Sequence, residues 1–283
     1  MQLTVLGCSG SAPGPDLPTS GYLVEVAGVR IAVELGGGVF GALQRRCDPF
    51  TLDAVLLSHL HLDHCADFSA LTTYLRAHPS PPASFGRLPV FAPPHAPTRL
   101  AAAHAASEEE LATLRLGDTF DFVPLAAGRF QIGPVTVEVA AMRHICEAYA
   151  FRITHAGTSL VFTGDTVPCP ELVELARGAD LLLADAAWRE QAGRANYLHM
   201  SGRETSLVAT EAGVGRLVLT HVLPWSDRAG VLADATEAFD GPVTLAEPGD
   251  VYRLRAAPDA DTVDARPAPA APVGPIRRAR RSS

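Results

Sequence analysis

The chain opens with short apolar runs separated by glycine and polar breaks, the rhythm of a β-sheet. "LTVLG", "GYLVEVAG" and "VRIAVEL" fall within residues 1–35, and a turn-like Ala-Gly joins the last two. "GGG" at 36–38 interrupts the pattern. "LDAVLLSH" is a leucine and β-branched run of strand length, expected to be buried on both faces. "DFSALTTYLRAH" then predicts a helix over about 67–78, stopped by Pro79. "PSPPASFGRLP" reads as a loop, "VFAPP" as a strand, and residues 97–115 as helical. Further strands are expected in "FDFVPL", "VTVEVAAM", "AYAFRIT" and "SLVFTG".

From there strand and helix alternate, which predicts an α/β protein. "PELVELARG" is a helix with proline at its start and Gly178 past its end. "DLLLADA" is a strand. "SGRETSLVATEAG" opens with Ser201 and Glu204 at capping-box spacing and closes at Gly213. "RLVLTH" is a strand, residues 229–239 a last helix, and "GPVTLAEPGDVYRL" ends the folded part. Residues 1–256 are therefore expected to form one domain. Residues 257–283, rich in Ala and Pro and then in Arg, lack the apolar content for a core and are expected to be a disordered tail.

Four apolar runs end in a residue type that binds metals: "AVLLSH" at His59, "LVFTGD" at Asp165, "LLLAD" at Asp185 and "RLVLTH" at His221. Ligand sites of α/β proteins lie beyond the carboxyl ends of strands, so the four endings predict a convergent site. The first leads into "SHLHLDH" at 58–64. Residues two apart in extended chain point the same way. His59 and His61 are thus placed to grip one ion, and Asp63 and His64, past the turn, to face a second. Four such polar groups beside a buried strand would be costly without ions or partners. Imidazole and carboxylate suit zinc, and also manganese or iron. Two ions need more ligands than this cluster holds, and His144, Asp165 and His221 are the natural supplements. Asp165 can bridge with its two oxygens. His78, His95, His104 and His155 are read as ordinary core or surface residues.

Composition narrows the picture further. The 283 residues suffice for one large domain, with 47% hydrophobic and 19% charged positions. No apolar stretch approaches the roughly 18–20 residues of a membrane span. The N-terminus lacks signal-peptide features, and a cytoplasmic location is expected. The five cysteines are scattered without a CxxC pair, which argues against a disulfide framework. Cys65 and Cys146 lie beside histidines of interest, but the His and Asp set already fills a site. All 23 basic residues are arginine, and the net charge is −8. The tail carries five Arg against three Asp, +2, which leaves −10 on the body. An acidic body argues against a broad nucleic-acid surface and suits a site for several divalent cations.

"HLHLDH", a later His, "TGD" and "LTH" together resemble the metallo-β-lactamase fold superfamily over residues 1 to about 256. The resemblance implies a four-layered αββα sandwich with two zinc ions between the sheets. One would be held by His59, His61 and His144, the other by Asp63, His64 and His221, with Asp165 bridging. Within the superfamily, "LHMS" with His199 resembles the "HxS/T" segment of the ribonuclease Z-like branch. That branch carries Glu where this chain has Asp185, and Asp where it has Glu34. The long arm that ribonuclease Z inserts between the third histidine and "GDT" to clamp tRNA is missing. Nearly end to end the chain is similar to actinobacterial cyclic-nucleotide phosphodiesterases of this branch.

These resemblances imply hydrolysis of a phosphodiester, with a small nucleotide as substrate. His199 would protonate the departing 3′-oxygen, oriented by Asp185. Asp63 counts in the catalytic group as well as among the ligands. "CSGSAPG" at 8–14 is a candidate cradle of backbone N–H groups for a phosphate oxygen. The competing readings are an RNA 3′-end nuclease, a hydrolase of esters, lactones or thioesters, and an inactive metal-binding protein using the Arg tail. A homodimer is compatible with the fold.

Overall fold

The computed structural model describes residues 1–190, 197–255 and 263–264. The predicted tail lies outside them, except that Val263 and Asp264 form a short strand. Two sheets stack face to face. The first contains Gln2–Gly7 (β1), Gly21–Val26 (β2), Val29–Val33 (β3), Ala54–Leu56 (β4), Leu88–Ala92 (β5) and Phe120–Pro124 (β6). The second contains Gly128–Ile132 (β7), Val135–Ala141 (β8), Tyr149–His155 (β9), Thr158–Phe162 (β10), Leu181–Asp185 (β11), Leu217–Thr220 (β12) and Val243–Leu245 (β13). Val251–Arg253 (β14) and Val263–Asp264 (β15) return to the first sheet, whose order is β15-β14-β1-β2-β3-β4-β5-β6. The second runs β13-β12-β11-β10-β9-β8-β7. Each is mixed: antiparallel hairpins lead into parallel strands at β3–β6 and at β10–β13.

The chain pattern explains the layers. Leu3, Tyr22, Ile31 and Leu56 of the first sheet meet Val137, Phe151, Leu160 and Leu183 of the second in one buried cluster. The outer face of the first sheet is covered by the helices Val39–Gln44 (α1), Phe68–Ala77 (α3) and Ala96–His104 (α4), through Leu43, Leu71 and Leu100. Between α1 and α3 lies a single turn, Leu62–Cys65 (α2). A short exposed helix, Glu108–Thr113 (α5), follows α4. Pro170–Ala176 (α6), Gly202–Ala212 (α7) and Arg228–Thr236 (α8) cover the second sheet. The result is the expected αββα sandwich.

Some local expectations needed correction. The helix expected over 97–115 is two helices, because Ser107 takes extended dihedrals and its hydroxyl accepts the Glu110 N–H as a new N-cap. The strand β7 and the helices α1 and α2 were not anticipated. In contrast, Ser201 and Glu204 form the capping box, and Gly213 closes α7 in the left-handed region at φ 65°.

Candidate metal centre

The sandwich brings one end of each sheet to the same place. His59 follows β4 by three residues, Asp185 is the last residue of β11, and His221 directly follows β12. Asp165 follows β10 through Gly164, which sits at φ +58°. A Cβ on Gly164 would lie 2.8 Å from the Tyr149 carbonyl oxygen and 2.9 Å from Ser58 Cβ, so glycine is required there. His61 caps the single turn α2 in extended conformation and thereby sets Asp63 and His64 on the turn. His144 comes from the β8–β9 loop, and His199 stands just before the N-cap Ser201 of α7. His221 itself has φ 58°, a strained value for a residue with a side chain, and Gly10 packs against it. A Cβ on Gly10 would come within 2.3 Å of the His221 carbonyl oxygen.

The side chains fall into two groups joined by one carboxylate. His59 Nε2 is 3.0 Å from His61 Nδ1, which is 3.4 Å from His144 Nε2. His64 Nε2 is 3.2 Å from His221 Nε2, and Asp63 Oδ2 lies 3.4 Å and 3.1 Å from those two nitrogens. Asp165 reaches both groups. Its Oδ2 is 3.6 Å from His59 Nε2, while its Oδ1 is 3.2 Å from His64 Nε2 and 3.4 Å from His221 Nε2. The edge of a tetrahedron with metal–nitrogen arms of ~2.05 Å is about 3.3 Å, so these spacings suit donors around a metal. Asp165 Oδ1 is buried and accepts no hydrogen bond, the condition of an oxygen reserved for a cation.

The far sides of four of the rings face oxygen atoms. His144 Nδ1 donates to the Leu198 carbonyl at 3.0 Å, which leaves Nε2 bare toward the centre. His59 Nδ1 is 3.0 Å from the Ser58 hydroxyl. His64 Nδ1 faces Glu34 Oε2 at 3.5 Å, and His221 Nδ1 faces Asp185 Oδ1 at 3.5 Å. Oxygen partners of this kind fix the tautomer of a ligating imidazole and raise its basicity. Glu34 is fully buried at φ 62°, and its Oε1 accepts the Ser58 N–H at 2.7 Å. Asp185 Oδ2 lies 3.0 Å from His199 Nδ1, and Trp188 stands edge-on to the His199 ring at 5.4 Å.

Electrostatics separate the two groups. Burial holds His59 well below the ordinary histidine range, and also lowers His61 and His144. Burial opposes the charged form of His64 and His221 as well, but carboxylates outweigh it. Asp165, Asp63 and Glu34 raise His64, while Asp165, Asp185 and Asp63 push His221 up to about 10. His199 is raised in the same way by Asp185 against its burial.

All nine residues singled out from the sequence for this site thus lie together: His59, His61, Asp63, His64, His144, Asp165, Asp185, His199 and His221. His78, His95, His104 and His155 lie elsewhere; His78, for example, packs on Phe50 and Tyr74. Cys65 Sγ donates to the His61 carbonyl at 3.3 Å and does not join the cluster. Cys146 does come near, with its sulfur within 4.8 Å of donor atoms of His59, His61 and His144. The expected phosphate cradle at 8–14 is corrected. The Cys8 and Ser9 N–H groups go to the Pro18 carbonyl, and that of Gly10 goes to Val222. Ala12 and Gly14 also donate to backbone oxygens, and Ser11 N–H donates to Asp63 Oδ2 at 2.8 Å. The segment positions a carboxylate rather than a phosphate. Sequence reasoning missed Ser58 and the Leu198 carbonyl. A charged residue inside the apolar run "IAVEL" was the available signal for the part Glu34 plays.

Residues 35–222 match the family described as Beta-lactamase superfamily domain. The uncharacterized protein Rv1339 of Mycobacterium tuberculosis is 41% identical over 260 residues, covering 91% of this chain and 93% of that protein. Ribonuclease Z of Mycobacterium bovis is 32% identical over 252 residues, covering 79% of this chain and 86% of that protein. The crystal structure of the metallo-β-lactamase fold protein YhfI from Bacillus subtilis superposes with a TM-score of 0.75 at 27% identity, covering 89% of this chain and 99% of that one. The chain belongs to the beta-lactamase superfamily, as a hydrolase of the metallo-β-lactamase fold in its ribonuclease Z-like branch.

Proposed function

We propose that this protein is a phosphodiesterase with two divalent metal ions, zinc first among them, and that its substrate is a cyclic nucleotide of the cAMP type. The observation that carries the reading is Asp165, whose two oxygens face one imidazole group each. Charge supports metal binding. Asp63, Asp165, Asp185 and Glu34 place four carboxylates in or beside the core. Each buried ion costs several kcal/mol unless paired, so this acidic cluster favours bound cations. The ligand set is His59, His61 and His144 on one side, Asp63, His64 and His221 on the other, with Asp165 between. Imidazole and carboxylate also accept manganese or iron.

Divalent ions bound there supply an ionised water near neutral pH and neutralise charge gathering on the phosphoryl oxygens. The chain's own groups do the rest. Ser58, Leu198, Glu34 and Asp185 orient the imidazoles. Asp185 holds His199 by Nδ1 and favours its protonated form, so His199 has a proton to give to the departing 3′-oxygen. His199 also lines the cleft above the centre.

The short β9–β10 connection supports a small substrate over RNA. The open cleft offers about 400 Å³, room for a small ligand. Between His144 and Asp165 the chain makes only the β9–β10 hairpin, turning at Ala156 and Gly157, so no arm for clamping RNA projects there. Cleavage of RNA 3′ ends is the second reading, favoured by the 32% identity to ribonuclease Z. Cyclic AMP, a precursor tRNA and a lactone, assayed side by side with and without chelator, separate the candidates. Chelator-sensitive turnover of cyclic AMP well above the others is expected. Turnover confined to the tRNA or the lactone contradicts the proposal.

A further inference from the structure

The walls of the cleft carry more information than its size. Among the described residues, the lining apart from the metal-site residues and His199 consists of Ser11, Leu62, Ile145 and Leu198, with no arginine. The clustered arginines Arg45, Arg46 and Arg228 line a separate cavity. Leu62 and Ile145 are large apolar side chains left 53% and 60% exposed. Each neighbours candidate ligands in sequence: Leu62 sits between His61 and Asp63, and Ile145 follows His144. Leu62 opens the turn α2 after β4 and Ile145 lies in the β8–β9 loop, so residues carried by different sheets line one cleft over the candidate metal centre.

This arrangement restricts what can bind. Beyond the proposed cations and His199, the described residues that line the cleft offer no positive side chain. One phosphodiester charge is met at the centre. Further phosphates of a polynucleotide would lie against Leu62 or Ile145 without a counter-charge, whereas proteins that track a nucleic-acid backbone supply Lys or Arg for each such contact. Flat uncharged nucleobases are gripped by apolar side chains placed on their faces.

Building on the phosphodiesterase reading, we infer that Leu62 and Ile145 are the specificity-determining contacts of the cleft. They hold the neutral base of a substrate bearing a single phosphodiester charge, and so select mononucleotide diesters against polynucleotides. A missing aliphatic contact in a binding pocket is worth about a factor of ten or more.

The test uses the metal-loaded full chain with Leu62→Ala, Ile145→Ala and Leu62→Met, with metal content measured on each sample. Each alanine variant is expected to keep its metal and a kcat within about twofold, while KM for 3′,5′-cyclic AMP rises roughly tenfold, the mark of lost uniform binding. Leu62→Met is expected to restore KM. The unaltered protein should prefer cyclic AMP to the base-free ribose 3′,5′-cyclic phosphate, and the alanine variants should lose that preference. An unchanged KM in both alanine variants, with chelator-sensitive turnover intact, overturns the inference and leaves the phosphodiesterase reading standing. So does tight, strongly salt-dependent inhibition of the unaltered protein by an RNA oligomer. Absence of turnover on every phosphodiester, in the unaltered protein too, overturns the phosphodiesterase reading instead.

Discussion

The two halves of the candidate metal centre are built differently. His59 and His144 are backed by neutral oxygens, the Ser58 hydroxyl and the Leu198 carbonyl, and His61 and His144 are only partly buried. His64 and His221 are buried and backed by the carboxylates Glu34 and Asp185, with Asp63 alongside. The first half therefore presents neutral imidazoles that need lose no proton to bind a metal. The second presents more negative charge, and its histidines hold protons when no metal is present. One motif, "HLHLDH", feeds both halves, so the difference lies in what stands behind the rings.

The largest effect is expected where the halves meet. Asp165→Ala removes the oxygens facing both groups, and metal content measured by atomic absorption should fall with turnover. Full metal occupancy in that variant contradicts the bridging role. His199→Ala lies outside both halves. It should keep its metal and lose about 10²- to 10⁴-fold in kcat, the usual contribution of a positioned acid. Unchanged turnover removes His199 from the chemistry.

Smaller effects separate the halves themselves. Glu34→Gln keeps the shape but removes the charge behind His64. A competition titration should show a loss of ~10- to 100-fold in metal affinity, larger than that of Ser58→Ala behind His59. Equal losses erase the distinction. The halves should also differ in pH dependence. His64 and His221 lie above the ordinary range when metal-free, so at pH 7 they are protonated and metal must displace those protons. His59, His61 and His144 lie below it and have none to displace. Uptake by the second half should release protons, and its affinity should weaken about tenfold for each unit the pH falls, per proton released. Calorimetry in buffers of different ionisation enthalpy measures this directly. Proton release confined to the first half reverses the assignment.

Much of this was legible in the sequence, for a physical reason. Strand ends appear as apolar runs that stop at a polar residue, and β4, β10, β11 and β12 each stop near a His or Asp of the centre. Strand and helix periodicity gave the α/β class, and the resemblance implied the αββα layering. The short segments were not legible: α2 is a single turn and β7 carries only one buried residue, so neither has room for a period. The supports behind the rings were hidden for another reason. Ser58 Oγ and the Leu198 carbonyl act by position, and any residue supplies a carbonyl. The glycine-rich segment at 8–14 misled because its amides are consumed within the fold, which composition does not reveal.

The central claim is that seven side chains hold two cations on either side of Asp165. Diffraction from crystals of the zinc-loaded protein at the zinc absorption edge tests it most directly. The account predicts two anomalous peaks, one among His59, His61 and His144 and one among Asp63, His64 and His221, with Asp165 between them. A single peak, or a peak at the Cys146 sulfur with the second group empty, contradicts it.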